Sequence, residues 1–117
     1  MDSICDLTTR INAFRDARDW KQFHNPKDMA VSISIESAEL LEQFQWKNAK
    51  ECEAHLQDNR EAVADEMADV AIYLFELADL LKMDLGQEML RKLGKNAVKY
   101  PVDKAKGSNK KYDELNQ

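Results

Sequence analysis

Residues 60–82 read REAVADEMADVAIYLFELADLLK. Val70, Tyr73 and Leu77 recur at helical spacing, and no part of the segment alternates with the period of two that a strand requires. Its second half, VAIYLFELADLL, is apolar around most of the helix circumference. A helix of that kind belongs in a bundle interior and points to a subunit interface as well. Upstream, residues 26–46, PKDMAVSISIESAELLEQFQW, form another amphipathic helix, opened by Asn25-Pro26 as cap and first-turn proline. Residues 3–19 give a helix with Ile4, Leu7, Ile11 and Phe14 at helical spacing, and Trp20, Phe23 and His24 follow in a connection. A short helix is expected from Ala49 to Leu56, with Asp58-Asn59 capping the next one. Asp84 opens a last helix that ends near Tyr100-Pro101. The expected fold is all-α, a four-helix bundle-like protomer over residues 1–102. Residues 103–117, DKAKGSNKKYDELNQ, read as a polar tail that is either mobile or draped over a partner.

Bulk properties narrow the function. The chain has 117 residues, a net charge of −5 and a pI near 5.0. That balance argues against a nucleic-acid partner, whose phosphates need a basic face. Three glycines leave no Gly-rich phosphate loop, so P-loop and dinucleotide-binding sites are excluded. The longest apolar run, Val70 to Phe75, is too short to span a membrane. The N-terminal MDSICDLTTR is charged where a signal peptide would be apolar, and Cys5 and Cys52 form no CxxC pair. A cytoplasmic protein with free thiols is expected.

Four carboxylates carry the chemistry. Glu36 and Glu39 lie on the second helix, Glu66 and Asp69 on the third long one, each pair spaced i, i+3 and therefore neighbours on one face. At about 100° per residue, Glu36 falls on the edge of the Met29/Ile33/Leu40/Phe44 stripe, and Glu39 lies in line with Trp46. Glu66 shares the direction of Val70, Tyr73 and Leu77, and Asp69 that of Glu76. A single ExxE is common on acidic helices and usually solvated. Two such pairs on the packing faces of successive helices need a compensating cation, and no lysine lies on either stripe. A divalent metal meets that need. The all-oxygen donor set suits Mg²⁺, Mn²⁺ or Ca²⁺, and the absence of Glu-x-x-His argues against a di-iron bundle. A metal-free helical dimer acting as an interaction module, its acidic stripe paired with a partner's lysines, is the alternative.

Read together, ESAELLEQFQWK, DEMADVAIYLFELADLLKMDL and KLGKNAVKYPV resemble the MazG-like nucleoside triphosphate pyrophosphohydrolases of the all-α NTP-pyrophosphatase superfamily. The likeness is to the short single-domain branch that includes eukaryotic dCTP pyrophosphatase, and it runs from about Leu7 to Val102. The family's ExxE–ExxD metal motif falls on Glu36, Glu39, Glu66 and Asp69. The resemblance implies Mg²⁺-dependent hydrolysis of a (deoxy)nucleoside triphosphate, by water attacking the α-phosphorus, to monophosphate and pyrophosphate. A house-cleaning role follows, with Mn²⁺ as a possible substitute ion. It also implies a homo-oligomer of helical dimers, a tetramer built as a dimer of dimers. Trp20, Trp46 and His24 match positions of that branch and are candidates for base binding; their alternative is core packing or, for His24, an exposed loop. Lys92, Asn96 and Tyr100 align at i, i+4, i+8 and are candidates for phosphate and sugar binding, or else plain helix surface. Ile11 stands where the dCTP-specific relatives are expected to place a histidine near the base.

Overall fold

A computed structural model describes residues 3–115. It is helical throughout, with no strand among the described residues: α1 (Ile4–Asp16), a 3-10 turn (Lys21–Phe23), α2 (Pro26–Glu42), α3 (Ala49–Asp58), α4 (Arg60–Leu80), α5 (Leu85–Lys99), α6 (Val102–Ala105) and α7 (Tyr112–Leu115). The capping chemistry explains where the helices start. The Asn25 side chain accepts from the Asp28 amide at 2.9 Å, with Pro26 in the first turn. Asn48 and Glu51 form a reciprocal capping box. Asp84 accepts from the Gln87 amide at 3.1 Å. Asn59 departs from expectation. Its side chain does not cap α4, and instead donates back to the His55 carbonyl at 3.1 Å, closing α3.

Helix ends follow a different rule in a glycine-poor chain. Asp19, Trp46 and Lys82 take left-handed φ values of 55°, 65° and 57° after α1, α2 and α4. Such a position favours glycine, so each of these exposed residues carries a conformational cost. The second helix stops at Glu42, earlier than the periodicity of residues 26–46 implies, and the Gln43 and Phe44 amides tighten its end by donating to the Leu40 and Leu41 carbonyls.

Two compact units divide between Met83 and Asp84. In the first, α4 is the axis: α2 packs along it most extensively, and α1 and α3 also rest on it. Asn12 of α1 donates to Asp79 of α4 at 2.9 Å, and His55 of α3 meets Gln43 at 2.8 Å. In the second unit, α5 runs into the two helical turns α6 and α7, where the sequence suggests only a polar tail; Tyr100 and Tyr112 meet edge to face at 6.2 Å. Among the described residues Met29 and Val63 are the only buried apolar side chains. Met67 and Leu74 on α4 and Leu81 at its C-cap, spaced by seven, all remain exposed in the single chain.

Candidate functional site

Packing α2 on α4 brings Glu36, Glu39 and Glu66 together: one carboxylate oxygen from each lies within 4.8 Å of the others. All three are half-buried. Burial pushes the Glu36 carboxyl up to about 7; the adjoining Glu39 and the negative charges of Asp69 and Glu66 add to the effect. Burial and the same neighbours raise Glu66, with Asp65 contributing. Every charge acting on these two groups is negative, so the folded chain holds a concentration of anionic oxygens without its own counter-charge. Glu36 Oε2 and Glu66 Oε2 are buried and lack a hydrogen-bond partner. Buried polar atoms are rarely left so. Hard oxygen donors, several negative charges and two unpartnered lone-pair sites fit a hard divalent cation.

Asp69 connects this cluster to a cavity of about 380 Å³. Its walls are Ile11, Phe14, Trp20, Ile72 and Tyr73, with Arg10, Arg15, His24 and Glu76 as its other polar residues. Phe14 and Trp20 meet edge to face at 5.9 Å, and the Arg18 guanidinium covers Phe14 at 3.6 Å, fixing that wall. Tyr73 lies between the two regions: burial raises its hydroxyl, and Glu36, Glu76, Asp69 and Glu39 all add to the shift.

Trp20 and His24 therefore line the pocket that adjoins the cluster, as does Ile11. Trp46 does not. It does not continue the Glu39 face, because α2 ends at Glu42 and Trp46 sits in the following turn, 91% exposed. Lys92 and Asn96 share a face of α5, but Tyr100 has left the helix with ψ of 67° at the C-cap, so the row of three is interrupted at its last member. These residues belong to the second compact unit. Sequence reasoning missed Arg15, Tyr73 and Glu76 as pocket residues. The available signal was the i, i+4, i+7 spacing of Asp69, Tyr73 and Glu76, which places all three on one side of α4.

A family model described as MazG-like matches residues 31–115. Curated relatives include dCTP pyrophosphatase 1 from Bos taurus, 39% identical over 104 residues, and from Homo sapiens, also 39%. The matched region is 87% of this chain and 62% and 61% of those proteins, so the chain spans about three fifths of the curated relatives it matches. Among solved structures, a pyrophosphatase from Archaeoglobus fulgidus superposes with a TM-score of 0.81 at 42% identity, covering 86% of this chain and 94% of that one.

Proposed function

The chain belongs to the MazG-like family, and we propose that it is a nucleoside triphosphate pyrophosphohydrolase. It hydrolyses a (deoxy)nucleoside triphosphate between the α and β phosphates, releasing the monophosphate and pyrophosphate, in a house-cleaning role for the nucleotide pool. The observation that carries this reading is the convergence of Glu36, Glu39 and Glu66, two of them with unpartnered buried oxygens, beside a pocket that Asp69 shares. Glu36, Glu39, Glu66 and Asp69 would hold the metal, with Mg²⁺ as the proposed ion and Mn²⁺ as a substitute. When bound, such an ion supplies positive charge against a triphosphate and acidifies water for attack.

The chain's own residues do the rest. Asp69 marks the point where the phosphates meet the pocket, so the α-phosphate is held at the cluster and the nucleoside extends away from it. Trp20 and Tyr73 offer flat apolar faces on which a base can stack. A pocket with these walls excludes bulk water from the base and fixes the substrate for attack at one phosphorus. Lys92, Asn96 and Tyr100 remain proposed phosphate and sugar contacts, and Trp46 a proposed base contact. A deoxynucleoside triphosphate is the proposed substrate, with dCTP first in any panel because the 39%-identical relatives are named for it.

A homo-oligomer, a tetramer assembled from helical dimers, is part of the proposal. Its support is the exposed stripe of Met67 and Leu74 on α4 with Leu81 at its C-cap, and a protomer that buries so little apolar side chain alone. No helix among the described residues is long and apolar enough to cross a membrane. The unpaired Cys5 and Cys52 suit a reducing compartment, the cytoplasm. Incubation with each common NTP and dNTP, with Mg²⁺ and with EDTA, tests the reaction. Monophosphate and pyrophosphate lost in EDTA are expected; release of orthophosphate would exclude it.

A further inference from the structure

Residues 102–115 fold back on the end of α5 instead of leaving it. Lys99 closes that helix, Tyr100 takes its C-cap with ψ of 67°, and Pro101 starts the next turn. The Pro101 carbonyl accepts from the Lys104 and Ala105 amides, and the Lys106 amide donates to the Val102 carbonyl. Gly107 then turns the chain at a left-handed φ of 77°, which costs a glycine little. The Ser108 amide donates to the Ala105 carbonyl, and the Ser108 hydroxyl accepts from the Lys110 amide at 3.2 Å. The Lys111 carbonyl accepts from the Glu114 and Leu115 amides and closes α7. These turns return Tyr112 to the residue that ended α5.

Tyr112 meets Tyr100 edge to face, with ring centroids 6.2 Å apart and planes at 85°. The Lys99 ammonium lies 4.8 Å over the Tyr112 ring. Both are geometries that the charge distribution of an aromatic ring favours. Yet Tyr100 is 37% exposed and Tyr112 45%. The pair is therefore not a core contact: it holds one side of the Tyr100 ring and leaves the rest accessible. A tyrosine alone beyond a helix end would exchange rotamers, and a ligand touching it would have to freeze them. Tyr112 removes part of that freedom beforehand.

We propose that Tyr112 is a positioning residue, holding the Tyr100 side chain in the conformation that meets the substrate's phosphates and sugar. The inference rests on the reading of Tyr100 given above. Tyr112 acts through Tyr100 and needs no contact with the substrate itself. Because the contact orders a side chain before binding, it works on substrate affinity and leaves the chemical step alone. Ordering one such side chain in advance is worth about three- to tenfold in binding.

Two measurements on the full chain test this. The first needs no turnover: NMR of isotope-labelled tyrosine rings, in EDTA and without nucleotide. The Tyr100 ring should carry a ring-current shift that Tyr112→Ala removes and Tyr112→Phe keeps. The second is steady-state hydrolysis of the preferred triphosphate. Tyr112→Ala should raise KM about three- to tenfold with kcat within about twofold of native, while Tyr112→Phe, which keeps the ring, stays near native in both. In a Tyr100→Ala background, Tyr112→Ala should add nothing, because the residue it acts through is gone. A Tyr100 ring shift indifferent to Tyr112→Ala would overturn the proposal. So would an unchanged KM in Tyr112→Ala, a fall in kcat alone, or the same further loss in the Tyr100→Ala background. A native KM in Tyr100→Ala would remove the reading of Tyr100 itself, and the proposal with it.

Discussion

Replacing Glu36 by glutamine should stabilise the metal-free protein and abolish its response to Mg²⁺, two effects of opposite sign from one substitution. Burial beside Glu39, Asp69 and Glu66 lifts the Glu36 carboxyl from its ordinary value near 4.5 to about 7. At about 1.4 kcal/mol per pH unit this amounts to about 3.5 kcal/mol at most. Solvent around a half-buried carboxylate screens that to about 1–2 kcal/mol. Below pH 4.5 the group is protonated in both folded and unfolded chains, and no penalty exists. Between pH 4.5 and 7 the unfolded chain loses its proton first, so stability falls as pH rises; above pH 7 the full penalty is in place. The amide never carries that charge. In EDTA at pH 8, Glu36→Gln should therefore gain about 1–2 kcal/mol over the native chain in denaturant unfolding, and well below pH 4.5 the two should coincide. Adding Mg²⁺ at about 10 to 100 times its dissociation constant should raise the native chain by about 1.4–2.7 kcal/mol and the variant by far less. Both proteins are compared at one protomer concentration, since assembly also contributes to stability. A variant less stable than the native chain in EDTA at pH 8, or one that gains equally from Mg²⁺, would refute the reasoning.

Glu39→Gln should lower kcat on the order of 100-fold while the circular dichroism spectrum is unchanged; turnover near the native rate would remove Glu39 from the site. Trp46→Ala should alter stability by no more than about 0.5 kcal/mol, since the side chain is exposed, yet raise KM for the preferred triphosphate about tenfold. An unchanged KM would leave Trp46 without a role in base binding. Leu74→Lys puts a charge in the middle of the exposed α4 stripe and should reduce the mass measured by light scattering; a native mass would place the interface elsewhere. Asn48→Ala deletes half of the capping box of α3 and should cost about 1 kcal/mol in unfolding experiments without changing turnover.

What was legible in the sequence is what periodicity and capping encode. The helical period puts Glu36 and Glu66 beside their apolar stripes, and two helices with matching stripes have to pack, which brings the carboxylates together. Asn25-Pro26 and Asp84 announced helix starts because their side chains serve amides only three residues away. Trp46 was misplaced for the converse reason. The helix has already ended at Glu42, Trp46 follows in a left-handed turn, and without a glycine nothing local signals that break. Glu76 and Arg15 were not legible as a pair. Each looks like an ordinary charged helix residue until α1 packs on α4 and both are buried beside His24. Partner choice across more than fifty residues of chain is a property of tertiary packing, which local spacing does not carry.

The most direct test of the central claim is the fate of oxygen from labelled water. Hydrolysis of the preferred deoxynucleoside triphosphate in H₂¹⁸O with Mg²⁺, followed by mass spectrometry of both products, reports which phosphorus was attacked. Label in the monophosphate alone is expected, together with its loss in Glu39→Gln. Label in pyrophosphate, or release of labelled orthophosphate, would contradict attack at the α-phosphorus held beside Asp69.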